Sequence, residues 1–143
     1  MRIAVPLAVA LCLALTGCGS AGGEDVPDSP TQGSGPTDLT VVVSSGFGHG
    51  ARTYTLRCDP PGGDHPEPEA ACRLLDRLDH PFAPLRPDRA CTDIYGGPQT
   101  ARVTGTFRGQ RVDAEFKRTD GCQIARWDAY ADLLVERGGA GGT

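Results

Sequence analysis

The sequence predicts an α+β fold in a single exported domain of about a hundred residues. Three observations carry this. Residues 39–44, 52–58, 101–107 and 111–118 are rich in β-branched side chains or alternate apolar with polar ones, the period of a half-buried strand. Residues 69–78 instead repeat their apolar members at helical spacing, through Ala70, Ala71, Leu74, Leu75 and Leu78. Four cysteines, Cys58, Cys72, Cys91 and Cys122, are distributed among these segments. Antiparallel strands with one or two helices segregated to one face make the α+β class.

The export assignment comes from the N-terminus. Arg2 precedes an apolar run over residues 3–15, and Leu15-Thr16-Gly17-Cys18 follows. A charged start, an apolar core too short for a membrane span and small residues before a cleavage point describe a secretory signal. The Leu-x-Gly-Cys ending resembles a bacterial lipobox. That resemblance implies removal of residues 1–17 and a lipid on Cys18, which places the protein on the extracellular face of the cell membrane. Residues 18–38 are dominated by Gly, Ser, Pro, Asp and Glu, too polar to bury a core, and are expected to be a lipid-anchored flexible linker. Residues 138–143 read as a disordered tail. The folded domain is then 39–137, a size at which covalent staples help.

Of the six cysteines, Cys12 falls in the signal and Cys18 takes the lipid. The remaining four suggest two disulfides, and three pairings are open. Locality selects Cys58–Cys72 and Cys91–Cys122, each worth about 3–4 kcal/mol through the loop-closure entropy it removes from the unfolded chain. No pair has C-x-x-C spacing, so no metal is expected. With 14 basic against 18 acidic residues and no basic block, nucleic-acid binding is disfavoured.

In chain order, the strand 39–44 gives way to Gly46-Phe47-Gly48-His49-Gly50. This bend lacks the lysine and helix opening of a phosphate loop, so it reads as a hairpin connection, and no cofactor is expected. The strand 52–58 puts Arg52, Tyr54, Leu56 and Cys58 on one face, and alternation alone leaves open which face is buried. Residues 59–68 contain Pro60, Pro61, Pro66 and Pro68 and read as a turn-rich loop, with His65 read as structural or solvent-exposed rather than catalytic. Pro66 and Pro68 fix the earliest start of the helix and Pro81 its end. A second proline-rich stretch, 80–89, leads to Cys91-Thr92-Asp93-Ile94-Tyr95-Gly96-Gly97-Pro98. This reads as an exposed, extended segment pinned at its first residue, with backbone freedom added by Gly96 and Gly97. Beyond it, Arg108-Gly109-Gln110 forms a tight turn between two strands, and Val112, Ala114 and Phe116 face the core. Asp120-Gly121 turns the chain into Cys122, and residues 123–134 fit either a helix or a turn and strand. Trp127 and Tyr130 are assigned to core packing. Ser44 and Ser45 lack the glycines of a nucleophile elbow. Asp113 and Glu115 are read as pointing to opposite faces of a strand and are discounted as a catalytic pair. The protein is not expected to be an enzyme.

The order Cys58, Gly62-Gly63, His65-Pro66, Ala71-Cys72, Cys91-x-x-Ile94-Tyr95, Gly109-x-x-Val112 and Gly121-Cys122 resembles the Streptomyces subtilisin inhibitor-like family. The resemblance implies an antiparallel sheet of about five strands with helices on one face. It also implies two disulfides paired as locality selects them. It further implies a secreted serine protease inhibitor, homodimeric through its sheet, whose reactive peptide bond joins Asp93 and Ile94. Cys91, Thr92 and Asp93 would then occupy the subsites before the bond, and Ile94 and Tyr95 those after it. The expected partner is an extracellular serine protease whose identity the sequence does not give; Asp93 suits neither an apolar pocket nor one built for Lys or Arg, and a protease of acidic specificity could accept it. The alternative is a non-inhibitory binding or structural lipoprotein that reuses the fold.

Overall fold

The computed structural model describes residues 35–48 and 50–135. The expected signal 1–17, Cys18 with its expected lipid, most of the expected linker, His49 and the expected tail 138–143 lie outside the described residues.

The sheet has five strands: β1 (Asp38–Ser44), β2 (Arg52–Cys58), β3 (Pro61–Gly63), β4 (Thr100–Phe107) and β5 (Gln110–Lys117). Their order is β3-β2-β1-β4-β5 and every pairing is antiparallel. Three helices complete the domain: α1 (Pro68–Asp76), α2 (Gly121–Ala129) and α3 (Ala131–Leu134). The α+β class holds, and so do both disulfides, Cys58–Cys72 and Cys91–Cys122.

Register explains which residues go inside. Leu39 of β1 sits between Leu56 of β2 and Gly105 of β4, and Gly105 pairs with Val112 of β5. Val41 is flanked in the same way by Tyr54 and Val103, with Ala114 beyond. This face takes the apolar sides of the helices: Ala71, Leu74 and Leu75 from α1, Trp127 from α2, and Leu133 and Leu134 from α3. Tyr54, Leu56 and Cys58 therefore mark the buried side of β2, which alternation had left open. The opposite face is polar, with Thr40, Thr53, Thr55, Arg102, Thr104 and Asp113 standing across four strands.

Several expectations are corrected. Residues 35–38, assigned to the linker on composition, are part of the fold. Asp38 opens β1, Pro36 O accepts from the Gly109 N–H at 3.0 Å, and the buried Thr37 hydroxyl accepts from the Arg108 N–H at 3.1 Å. The 59–68 loop contains the short edge strand β3, paired with Leu56–Cys58. It exists because Gly63, at φ +101°, lies directly against the Thr55 carbonyl, and because Thr55 donates both its N–H and its hydroxyl to Asp64 Oδ1. These bonds, the Thr55 N–H foremost, hold the Asp64 carboxyl below its usual range. Helix α1 ends at Asp76 rather than 78, because the Arg77 and Leu78 N–H groups turn back to Leu74 O and Leu75 O in a tightened last turn. Asp113 and Glu115 share the solvent face, as residues two apart on a strand must. Each is paired with a cation: Asp113 takes two bonds from Arg102, at 2.9 and 2.7 Å, and Glu115 lies 3.2 Å from Lys117.

The C-terminal segment is helical. Asp120 supplies the N-cap, its carboxylate accepting from the Gln123 N–H at 2.9 Å. Trp127 and Tyr130 are core residues as expected, and the Tyr130 hydroxyl donates to Pro81 O, fastening the proline-rich approach to α2. His65 is structural. Its Nδ1 accepts from the Glu67 N–H at 3.1 Å, which leaves Nε2–H to donate to Leu133 O at 2.9 Å and ties the entrance of α1 to α3.

Gly105 offers a direct test of this packing. Its φ is +125°, and a Cβ there would lie 2.2 Å from Asp38 O on the neighbouring strand. Gly105→Ala adds backbone strain to a collision that β1 cannot relieve without moving. The expected loss is about 3 kcal/mol, read from the urea midpoint.

Candidate functional site

Residues 91–97 form no regular secondary structure, and 91–95 are exposed. The segment is nevertheless held at both ends, and by one backing strip, residues 118–122. At the first end the Cys91–Cys122 disulfide joins it to the first turn of α2. One residue on, Thr92 O accepts from the Gly121 N–H at 2.9 Å. This approach needs glycine: a Cβ on Gly121 would stand 2.1 Å from Thr92 Oγ1. At the other end the Gly96 N–H donates to Arg118 O at 2.7 Å, and Arg118 Nε donates back to Gly96 O at 3.2 Å.

Arg118 is itself fixed. Its Nη1 lies 3.4 Å from Asp128 Oδ1, and its guanidinium sits over the Trp127 ring at 5.9 Å from the centroid. Gly96 also packs against α2, where an added Cβ would be 2.8 Å from both Cδ1 and Cγ1 of Ile124. Gly97 holds φ +131°. The two glycines are therefore not points of looseness. Gly96 permits close approach to α2, and Gly97 makes the left-handed turn into Pro98.

Between the two pinned ends stand Asp93, Ile94 and Tyr95. Among the described residues none of the three makes a hydrogen bond or ion pair, through backbone or side chain. Ile94 is 59% and Tyr95 66% exposed. An exposed run with unpaired N–H and C=O groups can accept a partner strand, with its side chains open to a partner's pockets. Asp93 carries an uncompensated carboxylate at the centre. Asp120 comes near the Cys91 and Cys122 sulfurs, but those sulfurs are joined to each other and Asp120 caps α2, so the cluster is structural.

The sequence singled out the segment, and the structure adds the residues that hold it: Arg118, Gly121, Gly96 and Ile124. One signal was readable beforehand, the glycine directly preceding a half-cystine. Arg118→Ala removes a charge-assisted bond worth about 1.5–3 kcal/mol before screening, and its partial exposure lowers that. The Gly96 amide, still facing the residue-118 carbonyl, is expected to exchange with solvent about tenfold faster in this variant. The Leu56 amide in the sheet should be unchanged.

The fold and this site define a class: a disulfide-stapled α+β domain that presents a short, unpaired segment from a rigid backing. The family described as subtilisin inhibitor-like matches residues 35–119. The chain is 48% identical over 93 residues to subtilisin inhibitor-like protein 5 of Streptomyces fradiae, spanning 60% of this chain and 84% of that one. It is 36% identical over 99 residues to subtilisin inhibitor-like protein 1 of Streptomyces cacaoi, spanning 62% and 89%. Among solved structures it resembles Streptomyces caespitosus sermetstatin, crystallised in complex with Bacillus licheniformis subtilisin, with 25% identity, a TM-score of 0.47 and coverage of 72% and 100%. The protein belongs to the subtilisin inhibitor-like family.

Proposed function

We propose that this protein is a serine protease inhibitor, anchored by a lipid on Cys18 at the extracellular face of the cell membrane. Its reactive segment is 91–95, with the scissile bond between Asp93 and Ile94. The observation that carries the reading is the unpaired run Asp93-Ile94-Tyr95 between two ends pinned to one strip. The names of its curated relatives support the activity.

The mechanism follows from the two anchors. The segment enters the protease cleft as an added strand, and Asp93 fills the pocket before the bond. Because its shape is set in advance, little ordering entropy is lost on binding. If the protease serine attacks the Asp93 carbonyl, the acyl side stays tethered through Thr92 and Cys91. The new Ile94 amine stays tethered through Gly96 and Arg118. Both fragments remain on residues 118–122, so the amine re-attacks before water does, and the bond re-forms. The protein needs no catalytic group of its own. A carboxylate before the bond selects a protease whose pocket supplies a cation or strong donors. The polar outer face of the sheet is the surface through which two copies would pair.

The test is titration of the full-length chain against subtilisin, trypsin and a glutamate/aspartate-specific serine protease, with the cut site read by mass spectrometry. The expected result is tight inhibition of the acidic-specific enzyme, with one slow cut between Asp93 and Ile94. Inhibition of none of them, by this chain or by its Asp93→Met variant, would overturn the reading in favour of a non-inhibitory binding lipoprotein.

A further inference from the structure

Strand β1 leaves the sheet at Ser44, opposite Thr100, where β4 begins. The β1–β2 connection and the leg of the 91–98 segment that runs into β4 thus emerge side by side. They also touch. Gly46, at φ +79°, lies so close to Pro98 that a Cβ there would fall 2.5 Å from Pro98 O and 2.7 Å from Pro98 Cβ. The Gly46 N–H is held by Ser44 Oγ at 3.3 Å. Gly48 is again left-handed, at φ +72°, with open space around it. Between these two glycines Phe47 points into solvent, 70% exposed.

A single exposed aromatic is ordinary on a protein surface. The grouping is not. Among the described residues the exposed large hydrophobics are Phe47, Ile94 and Tyr95. Two of them are in the reactive segment, and the third sits on a bend seated against that segment's end. The rest of the domain has sorted its large apolar side chains inward.

We infer that Phe47 is a second contact with the same protease, on the side of the scissile bond occupied by Ile94 and Tyr95, against an apolar patch beyond the Tyr95 subsite. The inference rests on the inhibitor reading. An aromatic at the margin of a docked strand supplies large contact area with little side-chain entropy to lose.

The experiment uses full-length chains carrying Asp93 or Asp93→Met, each with and without Phe47→Ser. The probes are the glutamate/aspartate-specific protease and subtilisin. Phe47→Ser is expected to raise the inhibition constant about tenfold, through faster dissociation. It should leave the equilibrium ratio of cut to intact inhibitor unchanged, because the anchors at 118–122 are untouched. Phe47→Trp, which keeps the aromatic, should restore binding. An unchanged inhibition constant in an active inhibitor overturns this inference and leaves the inhibitor reading standing. A changed cut-to-intact ratio overturns it too, since Phe47 would then act through the segment. So does a change in self-association by sedimentation, which would make a second copy the occupant. Failure of both the Asp93 and Asp93→Met chains to inhibit either protease overturns both readings.

Discussion

With methionine in place of Asp93, the protein is expected to inhibit subtilisin about a thousandfold or more tightly than the native chain does. A carboxylate placed in an apolar pocket without a partner costs several kcal/mol, and each 1.4 kcal/mol is tenfold in affinity. The substitution is clean on the side of the inhibitor. Asp93 is exposed and bonded to nothing among the described residues, so its removal leaves no group unsatisfied. The thermal midpoint should not move by more than a degree or two, as expected of an exposed position. Binding to a glutamate/aspartate-specific protease should move the opposite way. Measured together, the two inhibition constants separate a change of specificity from a change in the scaffold. A folded methionine variant that subtilisin digests at many sites, without inhibition, would mean that the 91–98 segment is not a reactive loop.

Removing the Cys91–Cys122 disulfide, by serine at both positions, is expected to convert the inhibitor into a substrate. The bond closes 31 residues of chain, and its loss should lower stability by about 3–4 kcal/mol. The larger consequence is local. Cys91 lies two residues before Asp93, and with the proposed bond cut and the disulfide gone, the Thr92–Gly121 bond would be the acyl fragment's one remaining tie to residues 118–122. The ends drift apart after the cut, and water competes with the returning amine. Hydrolysis between Asp93 and Ile94 should rise by about two orders of magnitude, following the loss of preorganisation. The control is the other disulfide. Cys58–Cys72 joins β2 to α1 and spans 14 residues, so its removal costs about 3 kcal/mol without touching residues 118–122. Below the unfolding transition that second variant should inhibit as the native chain does. Equal hydrolysis in the two would mean that global stability, not the local tether, protects the bond.

The fold was legible where one face of a strand is buried and the other is not. Arg52–Cys58 was read at its observed bounds, because Tyr54, Leu56 and Cys58 alternate with Thr53, Thr55 and Arg57. The strands after residue 100 were read to within a residue for the same reason. Strand β3 was not legible, because Pro-Gly-Gly has no strand preference of its own. Its pairing is imposed by β2 and by the Thr55–Asp64 bonds, which join residues nine apart. The C-terminal segment was ambiguous on apolar spacing alone, although Asp120 followed by Gln123 already carried an N-cap signal. The candidate site was half legible. A half-cystine and the resemblance drew attention to 91–95, but nothing local to Arg118 announces a bond to Gly96, 22 residues away. Asp113 and Glu115 were dismissed for a mistaken reason, and their pairing with Arg102 and Lys117 supplies a better one.

The family model matches residues 35–119, yet Gly121 and Cys122, two of the three residues of the strip that hold the segment, come after that boundary. So do Trp127, which carries Arg118, and Leu133, which receives His65. A fragment cut at residue 119 would keep all five strands and lose the disulfide and the Gly121 N–H that hold the 91–97 segment. For anyone trimming or grafting this domain, the working module extends through α3, to Leu134, and does not stop at residue 119.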